Sequence, residues 1–200
     1  MNWTPVILQE DVPPGVVVPS RIDETELAVW CSPSGQYHAW SDRCPHRGMR
    51  LSHGFVRGET LACIYHGWQY DAKGACAYIP AHPSLRPPKS ICVPTYPCAP
   101  SGGVIWAALE DPTDAPPDLE GRRPVRSMAV GRSAKDVAQH FGIGQQPLIP
   151  IEGPYDAVLA LQSSGAAQSV IHALAAPAHD RKAVSRWLEA LRVDLEGVPA

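Results

Sequence analysis

The chain has 200 residues, 22 of them proline, and a formal net charge of −3 at pH 7. This length allows one large domain, or one ordinary domain with a substantial appendage. The slightly acidic charge and the lack of a long basic stretch argue against a nucleic-acid-binding protein. The chain has no run of about eighteen apolar residues, so no membrane span is predicted.

Residues 1–112 are predicted to be all β. Short runs rich in β-branched and aromatic residues alternate with turn clusters such as Ser-Pro-Ser-Gly at 32–35, which is the pattern of short strands joined by tight turns. Many of the prolines lie between these runs and favour a small, loop-rich barrel or sandwich over long helices. The predicted strands cover residues 16–18, 26–30, 37–40, 60–64 and 104–108.

Two short groups of potential metal ligands lie inside this region. Cys44 and His46 form a Cys-x-His group, and after sixteen further residues Cys63 and His66 form a Cys-x-x-His group. Two thiolates and two imidazoles are the ligand set of a Rieske [2Fe–2S] centre, in which the Cys pair holds one iron and the His pair the other. The competing interpretation is a structural zinc site, but zinc fingers favour Cys-x2–4-Cys paired with His-x3–5-His.

The residues around these groups fit two loops that surround a cluster. Gly48 and Gly67 lie close to the ligands, where glycine lets backbone N–H groups approach the sulfides. Residues 71–74, Asp-Ala-Lys-Gly, predict a tight turn that closes a hairpin. Arginines near the first loop would attract an acidic redox partner at long range, unless they are ordinary solvated side chains. They are Arg43, Arg47, Arg50 and Arg57.

Residues 3–112 resemble the N-terminal Rieske domain of bacterial Rieske non-haem iron ring-hydroxylating oxygenases and demethylases. The matching run, residues 44–80, reads CPHRGMRLSHGFVRGETLACIYHGWQYDAKGACAYIP. The resemblance covers slightly more than half of the chain.

The resemblance implies a cofactor, its ligands and several partners. The implied ligands of a Rieske [2Fe–2S] cluster are Cys44, His46, Cys63 and His66. In this family the domain takes electrons from a reductase or ferredoxin and passes them to a mononuclear iron in a C-terminal catalytic domain, usually that of a neighbouring subunit in a trimer. We therefore expect a reductase or ferredoxin as electron donor, an oxygenase catalytic subunit as partner, and a homo- or hetero-oligomer.

Three positions distinguish this site from the Rieske proteins of respiratory complexes. Those proteins carry an extra Cys in each ligand loop, and the pair forms a disulfide, whereas this chain has Met49 and Tyr65 there. They also place a Ser after the His-Gly pair, and its hydroxyl donates a hydrogen bond to the cluster. Trp68 cannot make that bond. Fewer donors to the sulfurs predict a low potential, near about −150 mV.

The four other cysteines, which lie outside the ligand groups, are expected to be reduced thiols. Two disulfides are the alternative, but the N-terminus lacks the basic and apolar segments of a signal peptide. An iron–sulfur protein without an export signal is expected in the cytoplasm, where thiols stay reduced. These cysteines are Cys31, Cys76, Cys92 and Cys98.

The pattern changes after residues 113–124, which have the composition of a linker. Residues 125–200 are predicted to form a small α+β region that ends in an amphipathic helix. The order of its elements weakly resembles a much shortened catalytic domain of the same oxygenases. The predicted elements are a strand over 125–130, a helix from Ser133 to near His140, a hairpin of 157–162 and 169–175, and a helix over 180–196.

The usual mononuclear iron motif is missing from this region. The family uses Asp/Asn-x-x-His-x4–5-His on a helix, with a distant Asp completing a facial triad. After residue 112 the chain has only His140, His172 and His179, and none has a second His at that spacing. A divergent site built from Asp136, His140 and His172 is the alternative. We therefore do not expect mononuclear Fe(II), and we assign no catalytic residue.

Three functions are compatible with these observations. The first is a low-potential Rieske electron-transfer protein, or the cluster-bearing subunit that feeds electrons to an oxygenase. The second is a self-contained Rieske oxygenase or demethylase with a divergent, shortened iron site. The third is a non-enzymatic redox-sensing or assembly module. The sequence has no nucleotide-binding glycine motif, so electrons are expected to arrive from another protein.

Overall fold

The computed structural model describes residues 2–119, 121–144, 146–151 and 153–197. Residues 120, 145, 152 and 198–200, which belong to the predicted linker and C-terminal region, lie outside the described residues. Most of the regular structure in these ranges is antiparallel β-sheet, and two α-helices lie among and after the strands of the C-terminal part. The predicted fold class, mainly β with a small α+β C-terminal region, is confirmed.

The N-terminal part contains three antiparallel sheets, ordered β2-β3-β4-β9, β5-β6-β7-β8 and β1-β11-β10. The two ligand groups lie in loops that connect β4 to β5 and β6 to β7. The strands are β1 (Thr4–Leu8), β2 (Val17–Ile22), β3 (Thr25–Cys31), β4 (Tyr37–Ser41), β5 (Phe55–Arg57), β6 (Thr60–Ala62), β7 (Gln69–Tyr70), β8 (Cys76–Tyr78), β9 (Thr95–Tyr96), β10 (Cys98–Ser101) and β11 (Val104–Ala107).

The side chains of strand β3 contribute to two different cores. Successive strand residues point to opposite faces of a sheet. Ala28 and Trp30 therefore face the core beneath the ligand loops, while Leu27 and Val29 face a second core. Because both faces are covered, the strand is a continuous apolar run, as a central strand should be.

The C-terminal part forms a fourth antiparallel sheet, covered on one face by helices. Its strand order is β12-β15-β14-β13, and the apolar side of the last helix packs on it through Val184, Leu188 and Leu195. The predicted hairpin and terminal helix are confirmed. The elements are β12 (Arg123–Val130), α1 (Ala134–His140), β13 (Leu148–Ile151), β14 (Ala157–Ser163), β15 (Ser169–Ala175) and α2 (Arg181–Glu196).

Capping contacts mark the boundaries of both α-helices. The Ser133 hydroxyl accepts a hydrogen bond from the Asp136 backbone N–H at 3.1 Å and begins α1. Asp180 caps α2 in the same way through Lys182. Gly197 ends α2 with a φ of 67°, in the left-handed region where glycine carries no side-chain penalty.

The predicted strand over 60–64 is too long. Strand β6 ends at Ala62, and Cys63 already belongs to the second ligand loop because its backbone turns back to bond Gly67 and Trp68. Strand β2 is in turn longer than the predicted 16–18, since it begins at Val17 and ends at Ile22.

One apolar core connects the two parts of the chain. Trp106 of β11 and Leu174 of β15 belong to it, together with Leu119 from the segment before β12. The Trp3 indole N–H donates to the Asp114 carbonyl at 2.6 Å, so the predicted linker lies against the N-terminal part. That residues 113–124 separate two domains stays a prediction. Neither α1 nor α2, the α-helices of the described residues, is long and apolar enough to cross a membrane.

Candidate metal centre

The first ligand loop is a tight turn held by its own backbone. The Cys44 N–H donates to the Met49 carbonyl, and the Gly48 N–H donates back to the Cys44 carbonyl, both at 2.8 Å. Gly48 has a φ of 70°, which favours glycine. The buried Asp42 carboxylate accepts bonds from the backbone N–H and the hydroxyl of Ser52 at 2.7 and 2.6 Å. This pair fixes the base of the loop.

The second ligand loop repeats the same geometry. The Cys63 N–H donates to the Trp68 carbonyl and the Gly67 N–H donates to the Cys63 carbonyl, both at 2.9 Å. Gly67 has a φ of 69°, and a Cβ there would lie 3.0 Å from Pro80 Cγ. The predicted glycine positions therefore serve two matched turns, each presenting one Cys and one His.

The thiols lie inside the protein and the imidazoles lie at its surface. Cys44 and Cys63 are 3% and 1% exposed and share one apolar core. His46 is half-buried and His66 is exposed, with their ring centroids 4.5 Å apart. Burial raises the pKa of the Cys63 thiol, so binding a metal as thiolate would release a proton. A buried sulfur pair and a surface imidazole pair fit the two-Cys, two-His donor set of a Rieske cluster.

A buried tyrosine contacts the first thiol. Tyr70 Oη lies 3.1 Å from Cys44 Sγ, and the side chain is fully buried. Burial and the neighbouring sulfur raise the pKa of Tyr70, so the phenol keeps its proton and can donate to a thiolate. The sequence does not predict this contact, because a tyrosine in a short strand has no signal of its own.

Both imidazoles also lie against aromatic rings. Trp68 stacks on His46 with centroids 4.2 Å apart and an interplanar angle of 4°. Tyr65 lies beside His66 at 4.0 Å and 35°. In the sequence, Trp68 and Tyr65 stand out only as replacements for a hydroxyl and a cysteine, and their ring contacts are not predicted.

The four arginines near the first loop differ in their surroundings. Arg50 forms a salt bridge with Glu26, whereas Arg43, Arg47 and Arg57 have no acidic partner among the described residues. A Cβ at Gly48 would lie 3.8 Å from Arg43 Nη1, so this guanidinium lies next to the loop.

Of the three residues of the alternative iron site, Asp136 and His140 share helix α1, whereas His172 lies in β15. His172 is buried, with Nδ1 bonded to the Ser127 hydroxyl and Nε2 bonded to Gln162 Oε1, both at 2.9 Å. His140 faces Asp194 at 3.5 Å, and the Asp136 carboxylate accepts a hydrogen bond from the Ser133 hydroxyl at 2.8 Å. His172 lines one cavity and the other two residues line a different one, so the described residues do not bring the three side chains together at one site.

Comparison with known sequences identifies the N-terminal part. Residues 2–97 match the family model of the Rieske [2Fe-2S] domain. The chain is 40% identical over 116 residues to Oxidoreductase NdmD of Pseudomonas putida, covering 58% of this chain and 20% of NdmD. It is 40% identical over 134 residues to 4beta-methylsterol monooxygenase of Methylococcus capsulatus, covering 61% of this chain and 36% of that protein. The chain thus spans about a fifth to a third of the length of these curated relatives.

Comparison with solved structures extends the likeness of fold to the C-terminal part. The structure of an NdmA mutant of Pseudomonas putida CBB5 with theobromine matches with a TM-score of 0.76 at 19% identity, over 97% of this chain and 79% of that chain. Dicamba monooxygenase matches with a TM-score of 0.74 at 20% identity, over 98% and 85%. At this identity the likeness concerns the fold alone. The family match and the sequence relatives show that the chain carries a Rieske [2Fe–2S] domain, homologous to the Rieske domains of oxygenases and demethylases, and that this domain binds a [2Fe–2S] cluster.

Proposed function

We propose that the Cys pair and the His pair hold the two irons of the cluster. The matched turns support this, because each places one buried thiol and one surface imidazole at the same site. When bound, the cluster supplies one-electron transfer. The proposed ligands are Cys44 and Cys63 for one iron, and His46 and His66 for the other.

The residues around the site favour electron transfer. Leu51, Leu61 and Trp40 keep water away from the sulfur side of the site, and a dry environment limits the reorganisation that accompanies a change of charge. His66 is exposed and offers a short path for an electron between the cluster and a docked protein.

The chain acts as a low-potential electron-transfer protein, or as the cluster-bearing subunit that feeds electrons to an oxygenase. The exposed His edge beside a buried sulfur pair is the observation that carries this proposal. The donor is a reductase or ferredoxin, and the acceptor is an oxygenase catalytic subunit. The relatives named as an oxidoreductase and a monooxygenase support a place in such a system.

A self-contained oxygenase or demethylase is the second candidate. The likeness of fold over 97% of the chain favours it, because it includes the C-terminal sheet and helices. The hydrogen bonds on both nitrogens of His172 oppose it, since neither nitrogen is free to bind iron.

Quantification of iron and acid-labile sulfide on the purified chain tests this function. We expect two irons and two sulfides per chain, with a cluster that an acidic ferredoxin or a reductase reduces. Cys44→Ser should abolish the cluster, while Cys92→Ser, which changes an exposed thiol outside the site, should keep it.

Two results would contradict the electron-transfer function. A third iron that survives dialysis, with substrate-dependent O2 uptake, would establish the self-contained oxygenase. A cluster that neither a ferredoxin nor a reductase can reduce would favour a redox-sensing or assembly module.

A further inference from the structure

We propose that Trp68 and Tyr65 are positioning residues that clamp the two imidazoles from either side and thereby hold the His pair in the orientation that the cluster requires. The proposal rests on the proposed function, because it assumes that His46 and His66 are ligands. The four rings form one continuous array at the surface, in the order Trp68, His46, His66 and Tyr65.

The array has the contacts that a clamp needs. Trp68 is nearly parallel to His46, with centroids 4.2 Å apart. The two imidazoles meet edge to face at 4.5 Å and 65°, and Tyr65 closes the other end at 4.0 Å. Aromatic pairs favour such offset-stacked and edge-to-face geometries, so each imidazole is held by contacts on two sides.

Metal-bound histidines are usually oriented in a different way. The second ring nitrogen commonly donates to a carboxylate, a carbonyl or water, and that bond fixes the plane of the ring. Within the described residues, neither His46 nor His66 has a hydrogen-bond partner for its side chain. Ring stacking is therefore the interaction, within this chain, that is available to orient the two imidazoles.

The two ends of the clamp differ in rigidity. Trp68 is half-buried, packs against the core beneath the loops, and accepts the Cys63 N–H through its carbonyl. Tyr65 is 53% exposed and has solvent on its outer side. Trp68 should therefore fix His46 more firmly than Tyr65 fixes His66.

The clamp also joins the two ligand loops to each other. No disulfide joins the two ligand loops, since none of the six cysteines is paired with another. The aromatic array joins the same two loops without a covalent bond, since Trp68 and Tyr65 belong to the second loop and His46 to the first.

Spectroscopy of the assembled cluster tests the clamp. Trp68→Leu removes the aromatic ring, whereas Trp68→Phe keeps one. Tyr65→Leu and Tyr65→Phe make the same comparison at the exposed end of the clamp. Tyr78→Leu is the control, because Tyr78 is an exposed aromatic residue with no ring contact to either imidazole among the described residues. The readouts are the histidine nitrogen hyperfine couplings and g-value line widths of the reduced cluster, and the rate of cluster loss to a chelator.

We expect Trp68→Leu to broaden the g-values, change the His46 nitrogen couplings and speed cluster loss by about 3- to 10-fold. Tyr65→Leu should act in the same direction by about 2-fold, and both Phe variants should stay close to the original chain. A merely structural role for Trp68 would lower thermal stability without moving the nitrogen couplings.

Specific outcomes would overturn the proposal. It is wrong if the Leu variants match Tyr78→Leu in line width and loss rate, or if the Phe variants behave like the Leu variants. If Trp68→Leu does not assemble a cluster, the exposed Tyr65 pair decides the question alone. Failure of the proposed ligand set is distinguishable, because the unsubstituted chain would then lack a Rieske signal altogether.

Discussion

At the scale of single residues, Tyr70 changes the expectation for the redox potential. The sequence predicts a low-potential centre because Trp68 replaces a hydroxyl donor. Tyr70 supplies a donor of its own, with Oη 3.1 Å from Cys44 Sγ. A hydrogen bond to a ligand sulfur stabilises the reduced cluster more than the oxidised one, since reduction adds negative charge. The potential should therefore lie above that of a site without either donor.

Replacing Tyr70 with Phe isolates this bond. The substitution keeps the buried ring and removes the hydroxyl, so the midpoint potential should fall by roughly 50 mV, about one kcal/mol of lost differential hydrogen bonding. Protein-film voltammetry on the purified chain measures the change. Tyr78→Phe, in the exposed side chain of β8, is the matched control and should leave the potential unchanged. An unchanged potential in Tyr70→Phe would show that the hydroxyl does not interact with the cluster.

At the scale of elements, a chain of hydrogen bonds joins the C-terminal sheet to the N-terminal part. Ser127 of β12 bonds His172 of β15, which bonds Gln162 of β14. Gln162 Nε2 in turn donates to Ser20 Oγ at 3.1 Å and to the Arg21 carbonyl at 2.7 Å. Because the Gln162 amide nitrogen is the donor to β2, its oxygen must accept from His172. This assigns the neutral imidazole with its proton on Nε2.

The buried position of His172 disfavours a second proton on its imidazole. Burial lowers the pKa of His172 to about 4, and the side chain is 2% exposed. It also lies at a cavity of about 570 Å³ whose charged lining residues are Asp11, Arg21, Glu26, Asp42 and Arg50. A folded-state pKa below the unfolded value means that the unfolded chain binds the extra proton first.

The free energy of unfolding should therefore fall as the pH drops from about 6.5 towards 4. His172 should account for about 2 kcal/mol of the loss between pH 7 and pH 5. Urea unfolding of His172→Gln at the two pH values measures this, since a constant cost of the substitution cancels in the difference. His82→Gln, at an exposed histidine, is the control. Equal pH dependence in the original chain and His172→Gln would contradict the assignment.

Local patterns predict the longer elements but miss several short strands, among them two edge strands that contain proline. The hairpin of β14 and β15 and helix α2 follow from alternation and helical periodicity, and the structure places them within a residue of the predicted bounds. Strands β1 and β13 contain Pro5 and Pro150, which argue against a strand in the sequence. Both strands lie at a sheet edge, where proline is tolerated because no further strand needs its missing N–H.

The candidate site likewise has ligand groups that the local sequence predicts and long-range contacts that it does not. The ligand groups are readable because each Cys and His pair is two or three residues apart. The Arg50 and Glu26 salt bridge spans 24 positions, and the Gln162 and Ser20 bond spans 142. Such contacts depend on the tertiary fold, so no local pattern in the sequence contains them.

At the scale of the whole molecule, the local charge near the first ligand loop is opposite in sign to the net charge of the chain. The chain carries a net −3, yet Arg43, Arg47 and Arg57 lie near the first ligand loop without an acidic partner in the described ranges. Arg50 does not contribute a free charge there, because Glu26 neutralises it. A local excess of positive charge next to the electron-transfer edge attracts an acidic protein over about a Debye length, roughly 10 Å at 0.1 M salt.

Reversing two of these charges should slow reduction of the cluster by an acidic [2Fe–2S] ferredoxin. Arg43→Glu combined with Arg47→Glu should lower the second-order rate at low salt by about tenfold or more, and flatten its dependence on ionic strength, because steering acts mainly on association. Stopped-flow absorbance of the cluster gives both quantities. Lys182→Glu combined with Arg186→Glu places the same charge change at exposed positions of α2 and should have a small effect that salt removes. Equal effects of charge reversal near the first ligand loop and on α2 would contradict a docking surface beside His66. Net charge would then govern the association, and the electron would enter at another place.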